Sequence, residues 1–254
     1  MTDDAGNTRD DQFYTGLVAD LYEPLAGSLA RAEPIKRFVR RYGTPALELA
    51  CGAGHPMLEL LADGLEVHGI DSSADMLALL HEKAEAQGLK PQVACQLMQD
   101  LDMPGPYASC YLAGASFCLL ADVNDARATI ERVYAHLKPG GAFLLSAFRP
   151  ARLRGPARPT TKETEDGGQI SVAAIAQRED AQRQIIVTTL RYQRERPHHP
   201  AETIEREWVT RWYTAAELTA LLDEGGFEIY RLADFEGNAV GDDATDFSVV
   251  ATRP

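Results

Sequence analysis

Ala46-Leu47-Glu48-Leu49-Ala50-Cys51-Gly52-Ala53-Gly54-His55-Pro56 is the stretch from which the fold can be read. Residues 46–49 form a short, mostly apolar strand. The turn Cys51-Gly52-Ala53-Gly54 follows, and its glycines let the backbone approach a ligand closely. Pro56 suits the first turn of a helix, which Met57–Asp63 continues. Glu66–Ile70 reads as a second strand ending at Asp71, 17 residues beyond Gly54. Doubly wound sheets bind nucleotides at the carboxyl ends of such strands. A carboxylate at the position of Asp71 can accept hydrogen bonds from both hydroxyls of an unmodified ribose. A glycine turn alone is weak evidence, but strand, turn, helix, strand and terminal Asp in this order are specific.

The alternation continues outward. Ser72-Ser73 caps a helix from Ala74 to about Gln87, with Met76, Leu77, Leu80 and Ala84 as its apolar stripe. Gln92–Leu97 and Ser109–Ala113 read as the third and fourth strands. Residues 122–137 form an amphipathic helix that stops at the turn Lys138-Pro139-Gly140-Gly141, and Ala142–Ala147 is a fifth strand. Strands separated by helices specify a parallel α/β sheet with helices on both faces.

Beyond Phe148 the rhythm changes. Residues 149–167 read as a loop. Ile170–Gln177 and Ile185–Tyr192 flank the turn Glu179-Asp180-Ala181-Gln182, and a third strand lies near Thr203–Trp212, together a small antiparallel insertion. Ile204, Trp208 and Trp212 share one face at period two, either packing the insertion onto the core or walling a substrate. Thr214 opens a helix over Ala215–Glu224, and Phe227–Ala233 and Phe247–Thr252 close the chain as strands. At the other end residues 1–12 read as a loose tail. Phe13, Leu17, Leu21, Leu25 and Leu29 have helical spacing, broken at Pro24 and Pro34.

A formal net charge of −13 opposes phosphate backbones and anionic lipids, so neither nucleic acid nor a membrane is an expected partner. No apolar run approaches the ~20 residues that span a bilayer, and the acidic start lacks the layout of a signal peptide. Cys51, Cys95, Cys110 and Cys118 contain no CxxC pair and no metal spacing, which fits reduced thiols in a cytoplasmic protein without a metal site.

A dinucleotide fingerprint, GxGxxG, needs a third small residue. Read from Gly52 that place is Met57, and Pro56 removes one backbone N–H from the anion site at the helix start. A nucleoside without phosphates, such as S-adenosylmethionine, suits the pattern better. Glu48–Gly54, with Gly69-Ile70-Asp71-Ser72-Ser73-Ala74-Asp75-Met76-Leu77, Leu137-Lys138-Pro139-Gly140-Gly141 and Val18-Ala19-Asp20-Leu21-Tyr22-Glu23, resembles the motifs of the class I methyltransferases of small molecules. The resemblance implies a Rossmann-like fold: a mostly parallel seven-stranded sheet with helices on both faces and the antiparallel insertion. The cofactor core would be residues 1–148, the insertion or lid 149–212, and the return to the sheet 213–254.

Carried onto this chain, the resemblance implies that Ala50 and Gly52 line the methionine portion of S-adenosylmethionine and that Glu48 orients the turn. Asp71 would hold the ribose, Ser72 and Met76 would flank the adenine, and Tyr22 would cover the carboxylate or sulfonium. Cys51, Leu97, Met98, Gln99 and Ala113 complete the expected cofactor-binding set. Position 50 is Ala where the family usually has Gly, a mild change if φ there is negative. Leu97 stands where an adenine-binding acid is common, so Gln96, Gln99, the backbone or Asp100 in a shifted register would meet the adenine amino group.

The reaction implied is in-line methyl transfer to an N, O or C atom of a small-molecule acceptor, where alignment and desolvation carry much of the rate. His55, His136, His198, His199, Tyr14 and Tyr213 are candidate bases or substrate-side groups, and none is assigned a catalytic role. A cofactor-binding assembly module and an NAD(P)-dependent oxidoreductase are the alternatives. A homodimer through the insertion is left open, without a residue-level reason for it.

Overall fold

The computed structural model describes residues 13–26, 32–235 and 237–254. The expected tail and Leu29 lie outside the described residues. The first half alternates as α1 (Leu17–Ala26), α2 (Ala32–Tyr42), β1 (Ala46–Leu49), α3 (Met57–Ala62), β2 (Val67–Asp71), α4 (Ala74–Ala86), β3 (Gln92–Cys95), β4 (Tyr107–Tyr111), α5 (Val123–His136) and β5 (Leu137–Ala147). An insertion of β6 (Thr160–Glu163), β7 (Gln169–Asp180), β8 (Ile185–Glu195) and β9 (Glu202–Arg211) follows. Then α6 (Ala215–Glu224), β10 (Glu228–Ala233) and β11 (Phe247–Thr252) return to the core.

The main sheet has seven strands in the order β10-β11-β5-β4-β1-β2-β3. β1 lies between β2 and β4, parallel to both, and β11 is inserted antiparallel between β10 and β5. Successive residues alternate between two apolar layers, as the period of a strand demands. Leu47, Leu49, Ile70, Phe143 and Leu145 pack under α5 and α6, while Ala46, Val67, Tyr111 and Ala142 pack under α2, α3 and α4. Burying each large aliphatic side chain stabilises the fold by roughly 1.5–3 kcal/mol. Sequential strands sit side by side on either side of β1, so the gap above its carboxyl end is where a ligand can enter.

Several expected boundaries move. β4 begins two residues early because Tyr107, which follows the loop-like Pro104-Gly105-Pro106, is buried in the core. Lys138–Gly141 is not a separate turn but part of β5: between the pairs Tyr107↔Leu137 and Ser109↔Ala142 these residues bulge out of the ladder. Neither proline breaks a helix. Pro24 sits in the last turn of α1, and Pro34 in the first turn of α2, where no intrahelical N–H is needed.

The insertion is a four-stranded antiparallel sheet, β6-β7-β8-β9, rather than three strands in a loop-flanked ribbon. β6 carries no apolar signal: all four of its residues are exposed, and backbone pairing to Gln169–Val172 holds it. One face of the insertion packs on α1, through Ile170, Tyr192, Val172, Leu190 and Ile204 against Val18, Leu21 and Leu25. This packing places α1 between the small sheet and the core. Among the described residues no helix is long and apolar enough to cross a membrane.

Candidate active site

The turn after β1 folds as its glycines dictate. The Cys51 N–H donates to the Ile70 carbonyl (3.0 Å) and the Gly54 N–H to the Cys51 carbonyl (3.0 Å). Gly52 and Gly54 have φ of +51° and +93°. A Cβ on Gly52 would lie 3.2 Å from Met76 Cε, a contact that the flexible methionine would have to relieve by a few tenths of an ångström, and the positive φ there favours glycine. Ala50 also has positive φ, +52°. The condition under which Ala was a mild replacement for Gly is therefore not met: its Cβ faces the crowding that disfavours left-handed backbone by about 1–2 kcal/mol. Glycine relieves that strain but gives back about 0.4–1 kcal/mol through a freer unfolded chain. Ala50→Gly is therefore expected to raise the melting temperature by about 1–2 °C, read by scanning calorimetry; a lower melting temperature contradicts the strain.

Asp71 ends β2 with both carboxylate oxygens anchored. Oδ2 accepts from the Gly52 N–H (2.8 Å) and Oδ1 from the Ser73 N–H (2.8 Å). Burial pushes its pKa up, opposed by those two hydrogen bonds. Ser73 in turn caps α4, its Oγ accepting from the Met76 N–H (3.1 Å). The carboxylate is thus fixed against the glycine turn, with its remaining lone pairs available to a ligand.

Above these groups lies a cleft of about 660 Å³, open to solvent. Its lining brings together Tyr22, Ala50, Gly52, Asp71, Ser72, Met76, Leu97, Met98 and Gln99 from the expected set, with Tyr14 and Gln96. Glu48, Cys51 and Ala113 do not line it. Glu48 is buried beneath the turn, where its Oε2 accepts from the Tyr111 hydroxyl (3.0 Å). Cys51 turns behind β2, so close that a Cβ on Gly69 would lie 2.9 Å from its Sγ. Ala113 packs against the opposite apolar layer. Ser116, Leu119 and Leu120 also line the cleft; they come from a short 3-10 turn, Ser116–Leu119, which has no periodicity for sequence reasoning to find.

The Gln96 side chain clamps its own loop, donating to the Asp102 carbonyl and accepting from the Asp102 N–H (both 3.0 Å). Asp100 is exposed and off the cleft. Leu97 and Met98 therefore present an apolar wall where an acid is common.

Tyr14 and Tyr22 close the other side, edge to face at 5.0 Å. Their segment is tied down at three points: Ser73 Oγ donates to the Tyr14 carbonyl, the Gly16 N–H donates to Asp75 Oδ2 (2.7 Å), and Lys83 pairs with Glu23. Burial pushes both tyrosine hydroxyls up, so they stay protonated at neutral pH. The histidines lie elsewhere: His55 Nδ1 pairs with Glu59 (2.9 Å), His136 Nδ1 meets the Arg132 carbonyl (2.7 Å), and His198 and His199 sit at the exposed β8–β9 turn. Tyr213 does not border the cleft either; its ring is buried against Phe117. Of the aromatic face in the insertion, Trp208 stacks on Phe148 (5.8 Å), while Trp212 lies beyond the strand end under Arg149.

Residues 46–141 match the model of a methyltransferase domain. The matched segment is similar to a methyltransferase domain. It runs from β1 into β5 and contains the glycine turn, Asp71 and the apolar wall of the cleft. The chain also matches curated relatives. The chain is 31% identical over 113 residues to a glycine/sarcosine N-methyltransferase of Halorhodospira halochloris, covering 44% of this chain and 42% of that one. It is 24% identical over 213 residues to a cypemycin N-terminal methyltransferase of a Streptomyces species, covering 84% and 83%. Apart from the latter, the chain spans about half or less of the length of the curated relatives it matches.

Among solved structures it resembles the CcbJ methyltransferase of Streptomyces caelestis (TM-score 0.75, 24% identity, 97% and 100% covered). It also resembles the sugar N-methyltransferase KedS8 of Streptoalloteichus (TM-score 0.74, 19% identity, 100% and 98% covered). These likenesses show that the fold shared with those structures extends over the described residues, insertion included.

Proposed function

We propose that this chain binds S-adenosylmethionine in the cleft over Asp71 and transfers its methyl group to a nitrogen of a small molecule held beneath the insertion. The observation that carries this reading is the anchored carboxylate. Asp71 is fixed by Gly52 and Ser73 at the carboxyl end of β2, beside the glycine turn and an apolar wall. That arrangement suits a ribose, an adenine and a methionine chain, and offers no nest for a pyrophosphate. When bound, the cofactor would supply an electrophilic sulfonium methyl to the acceptor's lone pair, with its sulfur as the leaving group and the acceptor's proton released to solvent.

The chain's own part is placement and desolvation. Tyr14 and Tyr22 exclude water from the mouth and present electron-rich rings to a cation. No histidine lines the cleft, and its two tyrosines stay protonated. An amine, whose neutral fraction at neutral pH is already nucleophilic and whose proton can leave to solvent, therefore fits better than a hydroxyl that needs a base. The names of the relatives, several of them N-methyltransferases, support the same choice. The four cysteines, all free, support a cytoplasmic setting.

Calorimetry tests the cofactor and labelled-methyl transfer to a metabolite extract tests the reaction. Micromolar binding of S-adenosylmethionine and of S-adenosylhomocysteine is expected, with none for NADH. Cofactor binding with no label transferred to any amine would leave an assembly or sensor module instead.

A further inference from the structure

The insertion turns one face toward α1 and Tyr14 and the other toward solvent. Along β9 the residues alternate accordingly: Thr203, Glu205 and Glu207 are exposed, whereas Glu202, Ile204, Arg206, Trp208 and Thr210 are shielded. In sequence Arg206 is flanked by Glu205 and Glu207, as if neutralised by both. The pleat sends those carboxylates to the outer face, where Glu205 pairs with Arg191 (2.8 Å) and Glu207 pairs with Arg178. On the inner face the next arginine, Arg194, is paired with Glu202 (2.8 Å) and Asp20 (3.1 Å). Arg149, at the end of β5, is held by Glu179 (2.6 Å) and stacks over Trp212. Arg206 alone of these has no ion pair or hydrogen bond among the described residues, and its Nε is buried without a partner.

Its neighbours locate it. Ile204, two residues before, packs into the cluster with Tyr14 and α1. Trp208, two residues after, stacks on Phe148 at the carboxyl end of β5. Across the ladder its partner is Leu190, which packs in the same α1 cluster. Arg206 therefore emerges between the aromatic closure of the cleft and the end of β5. Trp208 Nε1 beside it is also buried without a hydrogen-bond partner, although the indole lies close enough to the Tyr14 hydroxyl to lower its pKa. Of these two donor-only groups the cationic one has no acceptor, and the indole N–H has only the Tyr14 hydroxyl beside it, in a chain of net charge −13. Orphaned buried donors are rare and costly, and a guanidinium fork matches a planar carboxylate.

We propose that Arg206, with the Trp208 indole N–H, is the anion-recognition site of the acceptor pocket, and that the methyl acceptor carries a carboxylate. A single guanidinium balances a monoanion, which favours a carboxylate over a phosphate dianion. The inference rests on the methyl-transfer reading for its meaning but not for its geometry. Arg206 thus acts as a specificity determinant, holding the far end of the acceptor while its amine faces the cleft.

The chain's two tryptophans, Trp208 and Trp212, supply the probe. Benzoate, its uncharged isostere benzamide and inorganic phosphate are titrated by fluorescence into the full-length protein, with and without S-adenosylhomocysteine. Saturable benzoate binding is expected, at least tenfold tighter than benzamide and untouched by phosphate. Arg206→Met should weaken benzoate binding on the order of 100-fold while leaving the S-adenosylhomocysteine affinity within twofold. Arg206→Lys, which keeps the charge without the fork, should fall between. Equal binding of benzoate and benzamide, no saturable benzoate binding, or unchanged benzoate affinity in the Met variant overturns the proposal; tighter binding of phosphate overturns the carboxylate. If the Met variant does not fold, the wild-type comparison and the Lys variant decide. Loss of S-adenosylhomocysteine binding in the wild type, with benzoate selectivity intact, would defeat the cofactor reading and spare this one.

Discussion

Asp71→Ala is expected to weaken S-adenosylmethionine binding by at least about 100-fold, from the loss of two charge-assisted hydrogen bonds to the ribose at roughly 1.5–3 kcal/mol each. The same change removes the acceptor for the Gly52 and Ser73 N–H groups, so the glycine turn loses its fixed position as well. Asp71→Asn separates the two effects. Its amide oxygen can still accept from one backbone N–H, so the variant should keep the fold and lose most of the affinity. Calorimetric titration reads both variants, with far-UV circular dichroism to confirm folding. Micromolar affinity retained in Asp71→Ala would remove this carboxylate from the site.

Glu48→Gln is expected to change the pH dependence of stability by a few kcal/mol. Burial pushes the Glu48 carboxyl up to about 8, against the lowering hydrogen bond from Tyr111, and Asp71 adds to the rise. At neutral pH the folded protein therefore holds a protonated carboxyl that the unfolded chain would ionise. Below the ordinary carboxylate value of 4.5 both states are protonated and the full contribution is present. Between 4.5 and about 8 the folded state binds the extra proton, so stability falls as pH rises. Above about 8 both states are ionised and the loss is complete. A gap of this size corresponds to an upper bound of roughly 4–5 kcal/mol. Urea unfolding at pH 5 and at pH 9 should show the wild type losing markedly more stability than Glu48→Gln over that interval. Parallel losses in the two proteins would mean that Glu48 ionises normally.

The fold's core was legible because its signals are local. Gly52 and Gly54 of the turn have positive φ, Ser73 caps the helix that follows Asp71, and the stripe Met76, Leu77, Leu80 and Ala84 is buried as its spacing predicts. Strand ends were less legible, since they depend on which residues find partners across the ladder. Tyr107 extends β4 because it is buried against the core, and β6 exists only because Gln169–Val172 offers its backbone an edge. The cleft divides in the same way. Gly52, Asp71 and Met76 follow one another along the chain, whereas Ser116, Leu119 and Leu120 reach the cleft through a turn with no pattern of its own.

The sequence by itself determined the βαβ unit, the place of its carboxylate and the absence of a dinucleotide fingerprint, since each depends on residues within about two dozen positions of one another. Only the tertiary structure decided what surrounds them. Ala50 is left-handed, Glu48 is sealed beneath the turn and protonated, and Tyr14 closes the cleft because the insertion presses α1 onto it. Arg206 shows the division most clearly. Between two glutamates it reads as a neutralised surface charge, yet strand alternation carries both carboxylates to the far face and leaves the cation looking inward. Local sequence records which residues adjoin along the chain, but burial and electrostatics answer to those that adjoin across it.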